Sequence, residues 1–237
     1  LDKCEIELSN VVYSYPGTKN NVLDGLNLRI RQGEKLAIVG ENGSGKTTLA
    51  KTILGLCEPQ SGKITINGID IAELKDTEKY ASACFQDYYT YSLSLRENIA
   101  FGDIGSIDND NKINNAIDMS GLRRVVNEID LDAFITKMFD SEGLEFSKGE
   151  TQRLSISKAF MFDKGVLVLD EPSAALDIIT ENEIFETILR LMKSRTSIVI
   201  THRLSNVVNC DRIVYLESGK IVEEGTHKDL LALHGKY

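Results

Sequence analysis

Gly40-Glu41-Asn42-Gly43-Ser44-Gly45-Lys46-Thr47 follows the spacing G-x-x-x-x-G-K-[ST]. Glycines at these positions let successive backbone N–H groups turn inward around phosphate oxygens. The start of a following helix adds positive potential. Lys46 then places a cation on the β- and γ-phosphates of a nucleotide, and the Thr47 hydroxyl is a ligand for Mg²⁺. A second pair, Asp170-Glu171, follows four apolar residues. Asp170 can hold a magnesium shell through water. Glu171, one residue further, is placed to polarise a water for attack on the γ-phosphate.

Both segments need strands and helices to aim them. Lys35 to Val39 is a short, mostly apolar run, as in a central strand, and it leads into Gly40. Lys46 to Leu54 has helical spacing, with Gly55 as its stop. Val166 to Leu169 reads as a buried strand, which brings Asp170 to the C-terminal edge where open α/β sheets bind ligands. Glu5 to Tyr13 alternates as a half-buried strand does, Pro16-Gly17 turns, and Leu26 to Ile30 is a further strand. Lys63 to Ile66 with Asn67-Gly68 is half a hairpin. Ile178 to Met192 is an amphipathic helix and Thr196 to Ile200 another buried strand. Arg212 to Leu216 and Ile221 to Glu224 flank a hairpin turn at Ser218-Gly219. Strands alternating with helices predict an α/β fold with a largely parallel sheet. Gln86 to Asp163 is polar, helical in spacing and without a strong strand, which predicts a helical lobe inserted into that core. The expected division is a core from 1–85 and 163–237 and a helical subdomain from 86–162.

Composition narrows the classes further. The chain is 42% hydrophobic and 27% charged, an ordinary globular balance that excludes disordered and collagenous classes. Its formal charge of −9 argues against a general binder of nucleic-acid backbones. No apolar run reaches the roughly 18 residues of a membrane span. Leu1 to Asn10 carry charge without an apolar core, unlike a signal peptide, and the first residue is not Met, as in a piece of a longer chain. Cys4, Cys57, Cys84 and Cys210 lie far apart, which fits a reducing cytosol and small buried hydrophobes rather than disulfides or zinc. Asp108 to Asn111 looks faintly like a calcium loop but has Ile113 where the glycine belongs; it reads as a turn capping the next helix.

Taken in order, these motifs resemble the nucleotide-binding domain of the ABC transporter superfamily, more closely its exporter type, over essentially the whole chain. The resemblance implies a P-loop NTPase (RecA-like) core with an antiparallel β subdomain and an inserted α-helical subdomain. Val12-Tyr13-Ser14-Tyr15-Pro16-Gly17 is similar to the exporter adenine-stacking region, with Tyr15 as the stacking ring; its other reading is a core tyrosine at a strand end. The phosphate loop, with Thr48 after it, implies the ATP-binding set Gly40, Glu41, Asn42, Gly43, Ser44, Gly45, Lys46, Thr47 and Thr48. Phe85-Gln86-Asp87 resembles the Q-loop, which gives Gln86 a place beside the magnesium and the attacking water. Asp170 to Asp177 resembles the Walker B end running into the D-loop, with Ser173 and Asp177 in it. Thr201-His202-Arg203-Leu204-Ser205 resembles the H-loop, where His202 would touch the γ-phosphate. Leu95 to Ile99 and Glu224 to Leu231 also resemble exporter segments. His227 and His234 have no comparable context and are given no role.

One motif departs from the family. Where the signature LSGGQ is expected, the chain reads Phe146-Ser147-Lys148-Gly149-Glu150. By resemblance, this segment opens a helix facing the γ-phosphate on an opposing subunit. Ser147 and Gly149 remain; Lys148 adds bulk and a cation and gives up glycine's freedom of φ > 0, and Glu150 adds an anion near a helix start. The departure reads either as tolerated drift or as a weakened composite site completed by a different subunit. Tyr88, Tyr89 and Tyr91 are either lobe packing or a docking groove for a helix of a membrane partner, near Gln86 to Leu93. The resemblance implies an ATP- and Mg²⁺-dependent ATPase motor at the cytoplasmic face of a membrane. It would dimerise with a second such domain around two ATP, with no nucleic acid expected. The alternatives are a non-transport soluble ABC ATPase and a weakly hydrolysing regulatory subunit of a heterodimer. Cargo stays open among peptide, lipid and drug. The altered signature resembles that of some bacteriocin exporters, which leans the reading towards peptide.

Overall fold

The structure, a computed structural model, describes residues 4–74, 80–85, 89–125, 130–138, 141–162, 165–172, 178–193, 195–201 and 207–237. In chain order its main elements are β1 (Ile6–Tyr13), β2 (Leu23–Ile30), β3 (Lys35–Val39), α1 (Lys46–Ile53), β4 (Ser61–Ile66), β5 (Ile69–Asp70), β6 (Ala81–Cys84), α2 (Leu95–Ala100), α3 (Asp110–Ser120), α4 (Lys148–Met161), β7 (Val166–Asp170), α5 (Ile178–Met192), β8 (Thr196–Ile200), β9 (Arg212–Glu217), β10 (Lys220–Gly225) and α6 (His227–Leu233). The chain divides into two compact units, one from 1–83, 164–171 and 194–237, the other from 84–163 and 172–193.

In the first unit, β7 and β8 are buried along their whole length and β3 along four of its five residues. Their apolar runs are what a sheet covered on both faces requires. They form the middle of a six-stranded sheet of order β10-β9-β3-β8-β7-β6. β3 runs parallel to β8 and β9, and β7 parallel to β8; β10 closes the edge antiparallel to β9. Thr196, the polar residue that opens β8, is satisfied inside: its Oγ1 donates to the Cys4 carbonyl (2.6 Å) and accepts from the Gly33 N–H (2.8 Å).

A second sheet of order β2-β1-β4-β5 belongs to the same unit and is antiparallel. In β1, Ile6, Leu8, Val11 and Tyr13 are buried, close to the alternation the sequence predicted. Its β4–β5 hairpin turns on Asn67 and Gly68, both with positive φ, the pair such a tight turn demands. Ser218 and Gly219 repeat the device between β9 and β10.

The second unit is helical. Leu95 and Ile99 of α2, Ile113, Ala116 and Ile117 of α3, and Leu154 and Met161 of α4 share one core. Ile184, Ile188, Leu191 and Met192 form the buried stripe of α5. Asn109 caps α3 by accepting from the Lys112 N–H, so the Asp108 to Asn111 segment is a helix start, as its sequence suggested. α2 and α4 each open on a capping box, Ser94 with Glu97 and Ser147 with Glu150. Among the described residues no helix is long and apolar enough to cross a membrane. No cysteine is in a disulfide; Cys4 and Cys84 are buried as expected, whereas Cys57 and Cys210 are only half-buried.

Candidate functional site

Strand register brings the chemistry together. Ile38 of β3 lies opposite Ile200 of β8, and Ile200 lies opposite Asp170 of β7. Three parallel strands therefore end level at one edge of the sheet, delivering the 40–45 loop, Thr201 and Glu171 side by side. Backbone bonds hold that edge: the Glu171 N–H donates to the Ile200 carbonyl (2.9 Å) and the Thr201 N–H to the Ile38 carbonyl (3.4 Å).

The loop between β3 and α1 is locked by its neighbours. Gly40 has φ 147°, and a Cβ there would lie 2.1 Å from the Leu216 carbonyl oxygen. The Gly219 N–H donates to the Ser44 carbonyl (3.0 Å), so the β9–β10 turn braces the loop from one side. Gly45 precedes α1 with φ 105° and offers no side-chain cap, so the first N–H groups of α1 face outward without a side-chain acceptor. Lys46 is 7% exposed, and its Nζ donates to the carbonyls of Gly40 and Glu41, each at 2.8 Å. Ser44 Oγ is buried without a hydrogen-bond partner among the described residues. A buried cation bonded to carbonyls, an orphaned hydroxyl and an uncapped helix start all fit phosphate oxygens. Glu41, Asn42, Gly43 and Thr47 are exposed.

Asp170 is 4% exposed. Burial pushes its carboxyl above the usual range; a hydrogen bond from Thr47 opposes the shift and the Glu171 charge adds to it. The Thr47 and Asp170 oxygens fit a hard cation such as Mg²⁺, which takes one or two carboxylates plus waters and phosphates. Burial likewise draws Lys46 below its ordinary value, partly restored by Glu171 and Asp170. From 3.8 up to its raised value, the folded chain keeps an Asp170 proton that the unfolded chain has released. Stability therefore falls as pH rises through that window, and the deficit is complete above it. Asp170→Asn is expected to raise the melting midpoint of the ligand-free chain by a few degrees near neutral pH. That gain shrinks as pH approaches 3.8. Thermal unfolding of both proteins across pH checks this, and a variant no more stable than the parent at neutral pH contradicts it.

Tyr15 follows β1 and is 39% exposed, so it is not the core tyrosine that was its other reading. Its hydroxyl lies 3.0 Å from Thr48 Oγ1, and its ring meets Tyr13 edge-on at 5.2 Å. No local pattern signals this link, which joins positions 33 apart.

The second unit carries 147–150. Ser147 is the N-cap of α4: its Oγ accepts from the Glu150 N–H (3.3 Å), and Glu150 Oε2 accepts from the Ser147 N–H (2.7 Å). Lys148 and Gly149 are helical and neither has positive φ. The expected loss of φ > 0 freedom at Lys148 is therefore no handicap, because that position takes ordinary helical backbone. Glu150 is a cap partner, a role the S-x-x-E spacing signals by itself. Tyr89 is 73% exposed, while Tyr91 pairs with Phe101 at 4.7 Å, with Lys158 Nζ 5.5 Å above the Tyr91 ring. Gln86, Tyr88, Ser173, Asp177 and His202 lie outside the described residues. His227 Nδ1 lies 2.7 Å from the Tyr237 hydroxyl, a structural contact.

A parallel sheet whose edge presents a glycine loop, a buried lysine and an Asp-Glu pair defines a P-loop nucleotide-binding domain. The profile of the ABC transporter family matches residues 23–174, and the chain belongs to that family. It is 38% identical over 231 residues to the subtilin transport ATP-binding protein SpaT of Bacillus subtilis, covering 95% of this chain and 37% of that one. It is 36% identical to the glutathione/L-cysteine transport system ATP-binding/permease protein CydD of Bacillus subtilis strain 168, covering 100% of this chain and 41% of the relative. A solved bacterial Atm1-family ABC exporter with ATP bound superimposes with a TM-score of 0.88 at 30% identity, covering 100% of this chain and 41% of that one. The chain thus spans about 40% of the length of these relatives. They are ATP-binding components of transporters, and the fold and the family place this chain among such domains.

Proposed function

We propose that this chain binds ATP with Mg²⁺ and hydrolyses it to ADP and phosphate as the motor of an exporter. The observation that carries the reading is the sheet edge: Lys46 Nζ held 2.8 Å from two loop carbonyls, the orphaned Ser44 hydroxyl within the same loop, and Asp170 and Glu171 level with it. Lys46, the amides of 40–45 and the Thr48 segment bind the phosphates, and Tyr15 supports the base. Thr47 and Asp170, with Gln86, hold the metal shell, the carboxylate through water. When bound, Mg²⁺ offsets phosphate charge as a Lewis acid. Glu171 holds the attacking water by accepting its proton, with Gln86 and His202 completing the surround.

A second ATPase domain, identical or not, supplies the opposing signature. Here that segment is Ser147, Lys148, Gly149 and Glu150, with Ser173 and Asp177 in the D-loop. A coupling helix of a membrane domain docks near Gln86 to Leu93, and the exposed Tyr89 ring supports that assignment. In this reading the motor works at the cytoplasmic face of a membrane. The names of SpaT and CydD carry unlike cargoes, subtilin and glutathione/L-cysteine, at similar identity, which supports a cargo chosen by the membrane domain.

Steady-state hydrolysis with Mg²⁺ across protein concentration tests the reading. Turnover rising faster than linearly supports a dimerising motor. Tight ATP binding without turnover at any concentration refutes a self-sufficient homodimer. Because Lys148 is an exposed helical residue and the cap is made by Ser147 and Glu150, Lys148→Gly is expected to change turnover by no more than a few-fold. A tenfold rise in the same assay would show instead that the altered signature impairs the site.

A further inference from the structure

We propose that the Tyr15 hydroxyl, bonded to the Thr48 hydroxyl, tethers the base-supporting ring to the phosphate-binding helix, so that this hydroxyl sets nucleotide affinity alongside the ring face. The inference rests on the nucleotide reading above and concerns a hydrogen bond which that reading does not require.

Three contacts fix Tyr15. Its carbonyl accepts from the Thr18 N–H (3.0 Å) and the Thr18 hydroxyl (2.8 Å), closing the turn through Pro16 and Gly17. Its ring stands edge-on to Tyr13, with an interplanar angle of 83°. Its hydroxyl is 3.0 Å from Thr48 Oγ1. Thr48 is 5% exposed and sits in the first turn of α1, two residues after Lys46 and one after Thr47. The tether therefore spans from the turn after β1 to the helix that carries the phosphate-binding lysine. A ring still 39% exposed keeps area free for a ligand while its position is already set.

Without the tether, the side chain must be ordered by each ligand that stacks on it. Immobilising one such side chain is worth about 0.5–1.5 kcal/mol, or roughly a 2- to 10-fold change in affinity.

The test compares ATP with inorganic tripolyphosphate, which has no base, by direct binding to the purified chain. Tyr15→Phe keeps the ring and loses only the hydroxyl. It is expected to weaken ATP about 3- to 10-fold and to leave tripolyphosphate within twofold, with an unchanged melting midpoint. Thr48→Ser, which keeps a hydroxyl, is expected to keep the parent's ATP-to-tripolyphosphate ratio, so that any change in phosphate binding cancels. In a Thr48→Val background, Tyr15→Phe is expected to add nothing to the ATP-to-tripolyphosphate ratio. Tyr15→Phe within twofold of the parent for ATP overturns the tether, as does an equal loss for both ligands. A parent chain that binds tripolyphosphate and ATP equally also overturns it while sparing the phosphate loop. A parent that binds neither overturns the nucleotide reading and the tether together.

Discussion

Glu171→Gln is expected to lower ATP turnover by about 10²- to 10⁴-fold, the usual contribution of a positioned general base, while ATP affinity stays within a few-fold. Glu171 is the first residue past β7, and its N–H is anchored on the Ile200 carbonyl at 2.9 Å. Its φ is 47°, in the left-handed region that a non-glycine residue rarely adopts. Such backbone persists where surrounding structure over-determines it, and it gathers at functional sites. The anchor and the unusual φ turn the backbone at the end of β7, and the Glu171 charge acts on both Asp170 and Lys46. Glutamine keeps the volume and one carbonyl acceptor but cannot accept the proton of the attacking water. The binding groups, Lys46 and the loop amides, are untouched. Separate measurement of kcat and of the ATP dissociation constant checks both halves. Turnover within tenfold of the parent would remove Glu171 from the role of base.

Much of this site was legible in the sequence because its signals are local. The phosphate loop is a pattern over consecutive residues, and the apolar runs before Gly40 and Asp170 are short central strands that only a sheet covered on both faces accommodates. α5 and β8 were read at their observed ends because their periodicities, about 3.6 and a continuous run, are unbroken. What local reading missed depends on distance or on partners. β6 is four residues with three of them small, too short and weak to separate from a loop, yet it completes the six-stranded sheet. The Tyr15–Thr48 bond joins residues that no pattern connects. The burial of Asp170 at the end of β7, and with it the raised carboxyl, follows from the strands around it.

In the signature segment a local rule stands beside the family comparison. Set against LSGGQ, Lys148 and Glu150 are departures, read either as tolerated drift or as a weakened site. Read by themselves, Ser147 and Glu150 are the ends of a capping box and Lys148 is the first residue of a helix of 14. The backbone there needs no glycine, which is why the segment keeps a helix start despite the substitutions. The helical unit repeats the logic in α2. There Asn98, fully buried, donates to the carbonyls of Tyr91 and Ser94 and accepts from the Tyr91 N–H, so Leu95 to Ile99 has a structural reason for its residues beside any family one.

Gly40→Ala is expected to destabilise the fold by about 3–5 kcal/mol, a fall of roughly 10 °C in melting midpoint, and to weaken ATP binding at temperatures where the chain still folds. Two separate penalties meet at this residue. At φ 147° the backbone is in a region that side chains resist. A Cβ would also lie 2.1 Å from the Leu216 carbonyl oxygen and 3.0 Å from Ser44 Oγ. Leu216 cannot step back, because it belongs to β9 and is paired with Ile221 of β10. The loop must therefore move, taking Ser44 and the carbonyl that holds Lys46 with it. Gly43 provides the contrast: its φ is 81° and a Cβ there would meet nothing within 4 Å. Gly43→Ala therefore carries only the left-handed backbone penalty, about 1–2 kcal/mol. Thermal unfolding of the two variants side by side separates the effects. Equal losses would mean that φ alone governs the loop and that the close approach of β9 does not position it.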